Sequence, residues 1–165
     1  MNFQIKKFKK KNIYKKNIIK NTIWYFVNNL LFNSLFPFSQ AKILILKIFG
    51  AKIGKNVIIK EYVKIKFPSN LIIGDNVWIG EGVWIDNIAI VEIGNNCCIS
   101  QNVYFCTGNH NSKLETFELI EESIVVEKNS WIASRSTIGP GVKIHEGTFV
   151  KIGSIVTKSF NQNLK

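Results

Sequence analysis

The sequence predicts an all-β parallel solenoid of about five coils, preceded by a helical N-terminal segment. Three observations carry that prediction. The first is a period of six, in which Val126, Ile132, Ile138, Ile144, Val150 and Val156 are all aliphatic. Six fits neither a helix nor a two-sided strand, but it fits a solenoid whose hexads each supply one short strand and one corner. The second is a longer beat: Ile53-Gly54-Lys55-Asn56-Val57, Ile73-Gly74-Asp75-Asn76-Val77 and Ile93-Gly94-Asn95-Asn96-Cys97 recur 20 residues apart. An early coil is thus three hexads plus two residues, and a later coil is three hexads alone. The third is the fourth place of the hexad, which is Asn or Gly in ten of fifteen hexads, Asn56, Gly82, Gly108 and Gly153 among them. Those residues tolerate φ > 0 best, as a left-handed corner requires.

The chain has 165 residues, enough for one folded domain. Its net charge of +11 is unevenly placed: residues 1–60 hold thirteen Lys and no acid, and residues 61–165 hold nine basic and eleven acidic residues. The basicity belongs to an N-terminal segment, residues 1–50, and the solenoid follows over residues 51–165. Residues 1–20 interleave eight Lys with Phe3, Phe8, Ile13 and Tyr14. Residues 23–36 form an apolar run broken by three Asn, too short and too polar to span a bilayer. Pro37 ends that run, and Gly50 stops the next, residues 41–49. One reading makes residues 1–50 a membrane-interface anchor, with Lys among anionic headgroups and aromatics at the boundary. The other makes them a cap on the open end of the solenoid. The long apolar blocks argue against nucleic acid as the partner, because a phosphate-binding arm needs none.

The aliphatic heads of the hexads point inward and form a narrow core. A second inward residue follows four places on: Ser130, Ser136, Val142, Thr148 and Ser154, until Phe160 breaks the pattern. The ladder also breaks after the hexad Phe105–His110. There residues 111–125, with four Glu, stand in place of two regular hexads. An excursion from a rigid solenoid is where function is expected.

At its root lies Cys106-Thr107-Gly108-Asn109-His110. The only other histidine, His145, falls at a regular corner and reads as a solvated residue. An imidazole on the excursion is suited to general-base work near neutral pH. Cys97, Cys98 and Cys106 match no zinc spacing, and no metal is expected. Free thiols and the lack of a secretory signal point to the cytoplasm.

Further motifs are Trp131-Ile132-Ala133-Ser134, Gly139-Pro140-Gly141-Val142, Val156-Thr157-Lys158 and the stretch from Val77 to Asn87. Together with Thr107-Gly108-Asn109-His110 they resemble the hexapeptide-repeat O-acetyltransferases of bacterial polysaccharide biosynthesis, the colanic-acid type. Cys98-Ile99-Ser100-Gln101 and a basic, apolar N-terminus ending in Phe49-Gly50-Ala51-Lys52-Ile53-Gly54 add to it. Galactoside and maltose acetyltransferases are similar at greater distance. The resemblance implies a left-handed parallel β-helix, a hand that periodicity alone would not choose. It implies acetyl-CoA as co-substrate, a sugar or glycan acceptor, and a homotrimer with sites between neighbouring prisms. It also implies His110 as the catalytic base. The family lines its site with an Asn or Asp from the coil below, where Asp86 and Asn87 pass under Cys106 and Thr107, so Asn87 is the second candidate. For coenzyme A it points to Trp131, Ala133, Ser134, Ser154, Thr157 and Lys158. The membrane-directed N-terminus suits a polysaccharide acceptor reached from the inner face of the cell membrane.

The chain departs from the family in two places. The last coil reads Lys151-Ile152-Gly153-Ser154 where Gly-Ala-Gly-Ser is common, and Lys165 comes before any Gly-x-Pro-Ala segment. Both lead to the expectation of weaker or reshaped coenzyme A binding. They also keep open a non-catalytic membrane-associated scaffold and an acetyltransferase for another small acceptor. A γ-class carbonic anhydrase of the same fold needs three His on zinc, and the chain has two.

Overall fold

A computed structural model describes residues 17–159. The first sixteen residues of the basic segment, and Phe160, lie outside that range. The solenoid consists of three parallel sheets of five strands each, one strand per coil per sheet. The first sheet stacks Ile53, Ile73, Ile93, Val126 and Ile144 in register. The second stacks Ile59, Ile79, Ile99, Ile132 and Val150. The third stacks Ile65, Ile85, Phe105, Ile138 and Val156. All fifteen are buried. These are the hexad heads, and each such side chain contributes about 1.5–3 kcal/mol when removed from water.

Corners explain the bias at the fourth place. Between the first and second sheets φ is positive at Asn56, Asn76, Asn96, Asn129 and Gly147. Between the second and third it is positive at Tyr62, Gly82, Asn102, Arg135 and Gly153. Asn does a second job that Gly cannot. Asn56, Asn76 and Asn96 each donate through Nδ2 to the Oδ1 of the next Asn up the stack, at 3.1, 3.0 and 3.1 Å, ending on Asn129. Tyr62 and Arg135 hold the same left-handed geometry without being Gly or Asn, so position overrides residue preference there. Gly108, expected at a corner, lies instead in a strand.

The excursion differs from its expected form. It displaces no hexad, because Ile93 remains in register with Val126 and Phe105 with Ile138. It is one lengthened corner between the third and first sheets, the corner that already carries the two extra residues of the early coils. Ile124 and Val125 are part of the returning strand Ile124–Val126.

Toward the end of the prism the inner residues turn from Val to hydroxyls. Ser130 Oγ donates to the His145 carbonyl at 3.1 Å, and Ser136 Oγ to the Lys151 carbonyl at 2.9 Å. These bonds satisfy Ser130 and Ser136 in the core, whereas the buried Thr148 hydroxyl has no hydrogen-bond partner among the described residues.

Helices α1 (Ile18–Val27) and α2 (Ser39–Ile48), joined through a π-helical turn at Asn28–Phe32, cover the first coil. An uncovered coil would leave a row of unpaired backbone groups and an open core. Trp24 Nε1 donates to the Ile65 carbonyl at 2.8 Å, and the Ile65 N–H donates to Asn28 Oδ1 at 3.2 Å. The Ile59 N–H donates to Ser39 Oγ at 2.9 Å, and Lys42 Nζ donates to the Lys60 carbonyl at 2.7 Å. Trp24, Phe32, Ile43 and Leu46 close the end of the core. Among the described residues no helix is long and apolar enough to cross a membrane.

Candidate active site

The root of the excursion is fixed by Thr107. Its side chain is buried, Oγ1 donates to the Asp86 carbonyl at 2.9 Å, and the Ala89 N–H donates back to Oγ1 at 3.0 Å. From there Gly108–His110 pairs antiparallel with Leu119–Glu121, placing His110 opposite Leu119. Residues 111–118 then close the tip through the Asn111 N–H to Glu118 carbonyl bond at 2.9 Å.

Phe117 orients His110. The imidazole Nδ1 lies 2.8 Å from the Phe117 carbonyl oxygen, and the two rings stack 4.3 Å apart at 1°. A carbonyl oxygen only accepts, so the neutral ring carries its proton on Nδ1 and its lone pair on Nε2. Phe117 holds φ at 47° to present that carbonyl.

Asn87 and Asp86 go to different places. Asn87 is fully buried, its Oδ1 accepting from the Phe67 N–H at 2.9 Å and its Nδ2 donating to the Phe67 carbonyl at 2.7 Å. Both ends of its amide therefore hold a corner together. Asp86 faces outward at the edge of the third sheet, opposite Cys106 in register. Lys66 Nζ stands 2.8 Å from its Oδ1, and the Tyr104 hydroxyl donates to Oδ2 at 3.4 Å. Burial, reinforced by the neighbouring Cys106 and Asp86, raises the Tyr104 pKa well above its ordinary value, so it stays a hydroxyl donor. The Tyr104 ring stacks on the exposed Trp84 at 4.6 Å. Sequence reasoning missed this Asp86–Tyr104–Trp84 group. Its signal was the aromatic placed just before the hexad head in two successive coils.

The six coenzyme A candidates divide between two edges of the prism. Trp131 lies on the outer face of the second sheet, 43% exposed, its Nε1 donating to Ser100 Oγ at 2.8 Å and its ring 4.7 Å from Phe149. Ala133 and Ser134 follow it into the corner toward the third sheet, and Ser154 occupies that corner one coil on. Ala133 is buried, while Ser134 and Ser154 are partly exposed. Thr157 and Lys158 are exposed beyond the last strand of the third sheet, on the edge from which the His110 excursion departs. A single chain therefore groups His110 with Thr157 and Lys158 along one edge, and Ser134 and Ser154 along another, with Trp131 on the face beside it. His145 lies beside Glu127, at 3.5 Å, in the first-to-second corner away from both.

Comparison with known proteins settles the family. The chain is 37% identical over 149 residues to an Escherichia coli (strain K12) protein named for acetyl transfer in colanic acid biosynthesis, covering 90% of this chain and 82% of that one. The chain belongs to the hexapeptide-repeat acetyltransferases. A galactoside O-acetyltransferase of Escherichia coli (strain K12) is 32% identical over 117 residues, covering 69% of this chain and 58% of that protein. Among solved structures, a hexapeptide-repeat acetyltransferase of Vibrio cholerae in complex with acetyl coenzyme A superposes with a TM-score of 0.79 at 20% identity, over 88% of this chain and 81% of that one. A maltose O-acetyltransferase of Clostridium difficile superposes with a TM-score of 0.72 at 20% identity, over 87% and 79% of the two chains. No protein-family model matches the sequence. This acetyltransferase thus has the left-handed β-helix of its family, carried here by three ladders of hexad heads.

Proposed function

We propose that this acetyltransferase moves the acetyl group of acetyl-CoA to a sugar hydroxyl of a bacterial surface or secreted polysaccharide, with His110 as general base. The observation that carries the proposal is the bond between His110 Nδ1 and the Phe117 carbonyl, which sets the tautomer whose lone pair is on Nε2, the form a general base needs. Nε2 takes the hydroxyl proton as the sugar oxygen attacks the thioester carbonyl. The imidazolium then gives that proton to the departing thiolate, so the ring ends as it began. Lys158 suits a coenzyme A phosphate, and Trp131 with Phe149 offers an aromatic surface to its adenine or pantetheine arm. Asp86 takes the place given to Asn87 beside the acceptor, because Asn87 is fully buried whereas Asp86 faces outward.

The working unit is a homotrimer. Two outer faces of the prism are rich in aromatic and aliphatic residues: Ile58, Trp78, Trp131 and Phe149 on the second sheet, and Trp84, Tyr104 and Ile155 on the third. The first sheet is more charged, with Lys52, Glu92 and Lys143 alternating with the partly exposed Ile72 and Val125. A ring of three prisms uses two faces of each subunit and leaves the third in water. The same reading places the reaction at the inner face of the cell membrane, within reach of a growing glycan.

The test is turnover of acetyl-CoA, followed as thiol release with a panel of sugar acceptors. His110→Ala is expected to lower the rate about 10²–10⁴-fold with the fold intact. Retention of more than about a tenth of the wild-type rate removes His110 from the role of base. His145→Ala is the control and is expected to change little.

A further inference from the structure

The cap has a second face. Its inner side closes the solenoid through Trp24, Phe32, Ile43 and Leu46, but ten large hydrophobic residues between Ile18 and Ile48 are exposed. They are not scattered. Ile19, Ile23, Phe26 and Leu30 recur at the three- and four-residue spacing that puts them on one side of α1 and its π-helical continuation. Ile19 is 78% and Leu30 74% exposed. Leu44 and Ile48 stand a turn apart on α2, both exposed. An apolar groove with a volume of about 860 Å³ runs between the start of α1 and the end of α2, lined by Ile18, Ile19, Ile23 and Ile48 with Lys20 at its side. Closing the prism requires none of these side chains.

We infer that this outer face is a bilayer-docking surface selective for anionic headgroups. Charge decides the occupant. The sixty residues that contain the cap carry thirteen Lys and no Asp or Glu, and of the three Lys on the described part of the cap Lys20 and Lys47 are exposed while Lys42 is buried. Two such segments brought face to face repel each other, so a second copy is a poor cover, whereas an anionic lipid surface attracts both. The exposed Ile, Phe and Leu side chains sink into the headgroup boundary while Lys20 and Lys47 stay at phosphate level. The inference rests on the trimer reading in one respect. Cyclic symmetry sets three caps at the same end of the three prisms, so three docking faces share one plane and bind with higher avidity than one.

The experiment is vesicle flotation of the full-length chain, with phosphatidylcholine vesicles and with vesicles containing phosphatidylglycerol. The wild-type protein is expected to float with the anionic vesicles and to be loosened, not released, by high salt, because the apolar part of the attachment is unscreened. The triple variant Ile19→Gln, Ile23→Gln, Leu30→Gln changes only exposed positions. It is expected to keep its melting temperature and to lose at least about tenfold in vesicle partition. Failure of the wild-type protein to float, or equal flotation by the variant, overturns the inference. So does concentration-dependent growth beyond a trimer that the variant abolishes, which would make a second copy the occupant. Acetyl transfer to a soluble sugar, assayed in the same preparations without lipid, is expected to be equal in both proteins. Loss of that activity from both would count against the acyl-transfer reading and leave the flotation result standing.

Discussion

Phe117 joins the proposed chemistry to the backbone's tolerance. With φ at 47° it occupies a region that costs a bulky residue about 1–3 kcal/mol. What that geometry secures is a carbonyl aimed at His110 Nδ1 and a ring lying flat on the imidazole. Phe117→Gly separates the two effects. It relieves the backbone and removes the ring, so the melting temperature is expected to hold while kcat falls about tenfold from loss of base positioning. The KM for acetyl-CoA is expected to change little, since Phe117 is given no coenzyme contact. An unchanged kcat would show that the carbonyl alone orients the base. His110 stood out in the sequence as a candidate because it stands where the hexads stop. Phe117 did not, since nothing in a sequence marks a carbonyl that returns seven residues later. Asn87 was expected to line the site, and its burial could not be read from the sequence. The strand Trp84–Asp86 turns its last residue outward, and the corner that follows draws Asn87 in.

Among elements, the cap shows why residue composition left two readings open. A basic, apolar segment can cap or anchor, and the helices observed here bury one apolar face against the first coil and leave another exposed. The cap's least expected member is Lys42, fully buried and bonded to the Lys60 carbonyl at the open edge of the first coil. Burial lowers its pKa from the ordinary 10.5, an effect partly offset by Glu61. The sign of the linkage follows. Below the folded-state pKa both states hold the proton, and the cost of burying the ammonium is present in full. Between that value and 10.5 the unfolded chain holds the proton and the folded chain releases it, so this group adds stability as pH rises. Denaturation midpoints of the wild-type protein relative to Lys42→Met are expected to be flat at neutral pH and to rise through that window. A flat difference throughout would mean that Lys42 stays charged in the fold. The solenoid itself was legible almost to the strand, because a six-residue beat can be satisfied only by stacking. The excursion was legible as an interruption but not as a hairpin, since Gly108 resembles a corner residue and pairs as a strand.

At the scale of the whole molecule, the separation of the candidate residues onto two edges becomes a prediction about assembly. His110, Thr157 and Lys158 share the edge between the third and first sheets, while Ser134 and Ser154 share the edge between the second and third, with Trp131 on the adjoining face of the second sheet. A rigid prism cannot fold one edge onto the other. A cyclic trimer can bring one edge of a subunit against the other edge of its neighbour, which makes every site the property of two chains. Subunit mixing reads this directly. One variant carries His110→Ala, and the other carries Trp131→Ala with Ser134→Ala on the opposite edge; each alone is expected to be nearly inactive. When the two are unfolded together and refolded, a site is intact wherever the first variant supplies Trp131 and Ser134 and the second supplies the histidine. Random assembly gives that arrangement at about a quarter of the sites. Activity is therefore expected to return to about a quarter of wild type in the mixture, and to remain absent when the two are combined without unfolding. If each subunit housed a complete site, every chain in the mixture would still carry its own lesion and no activity would return.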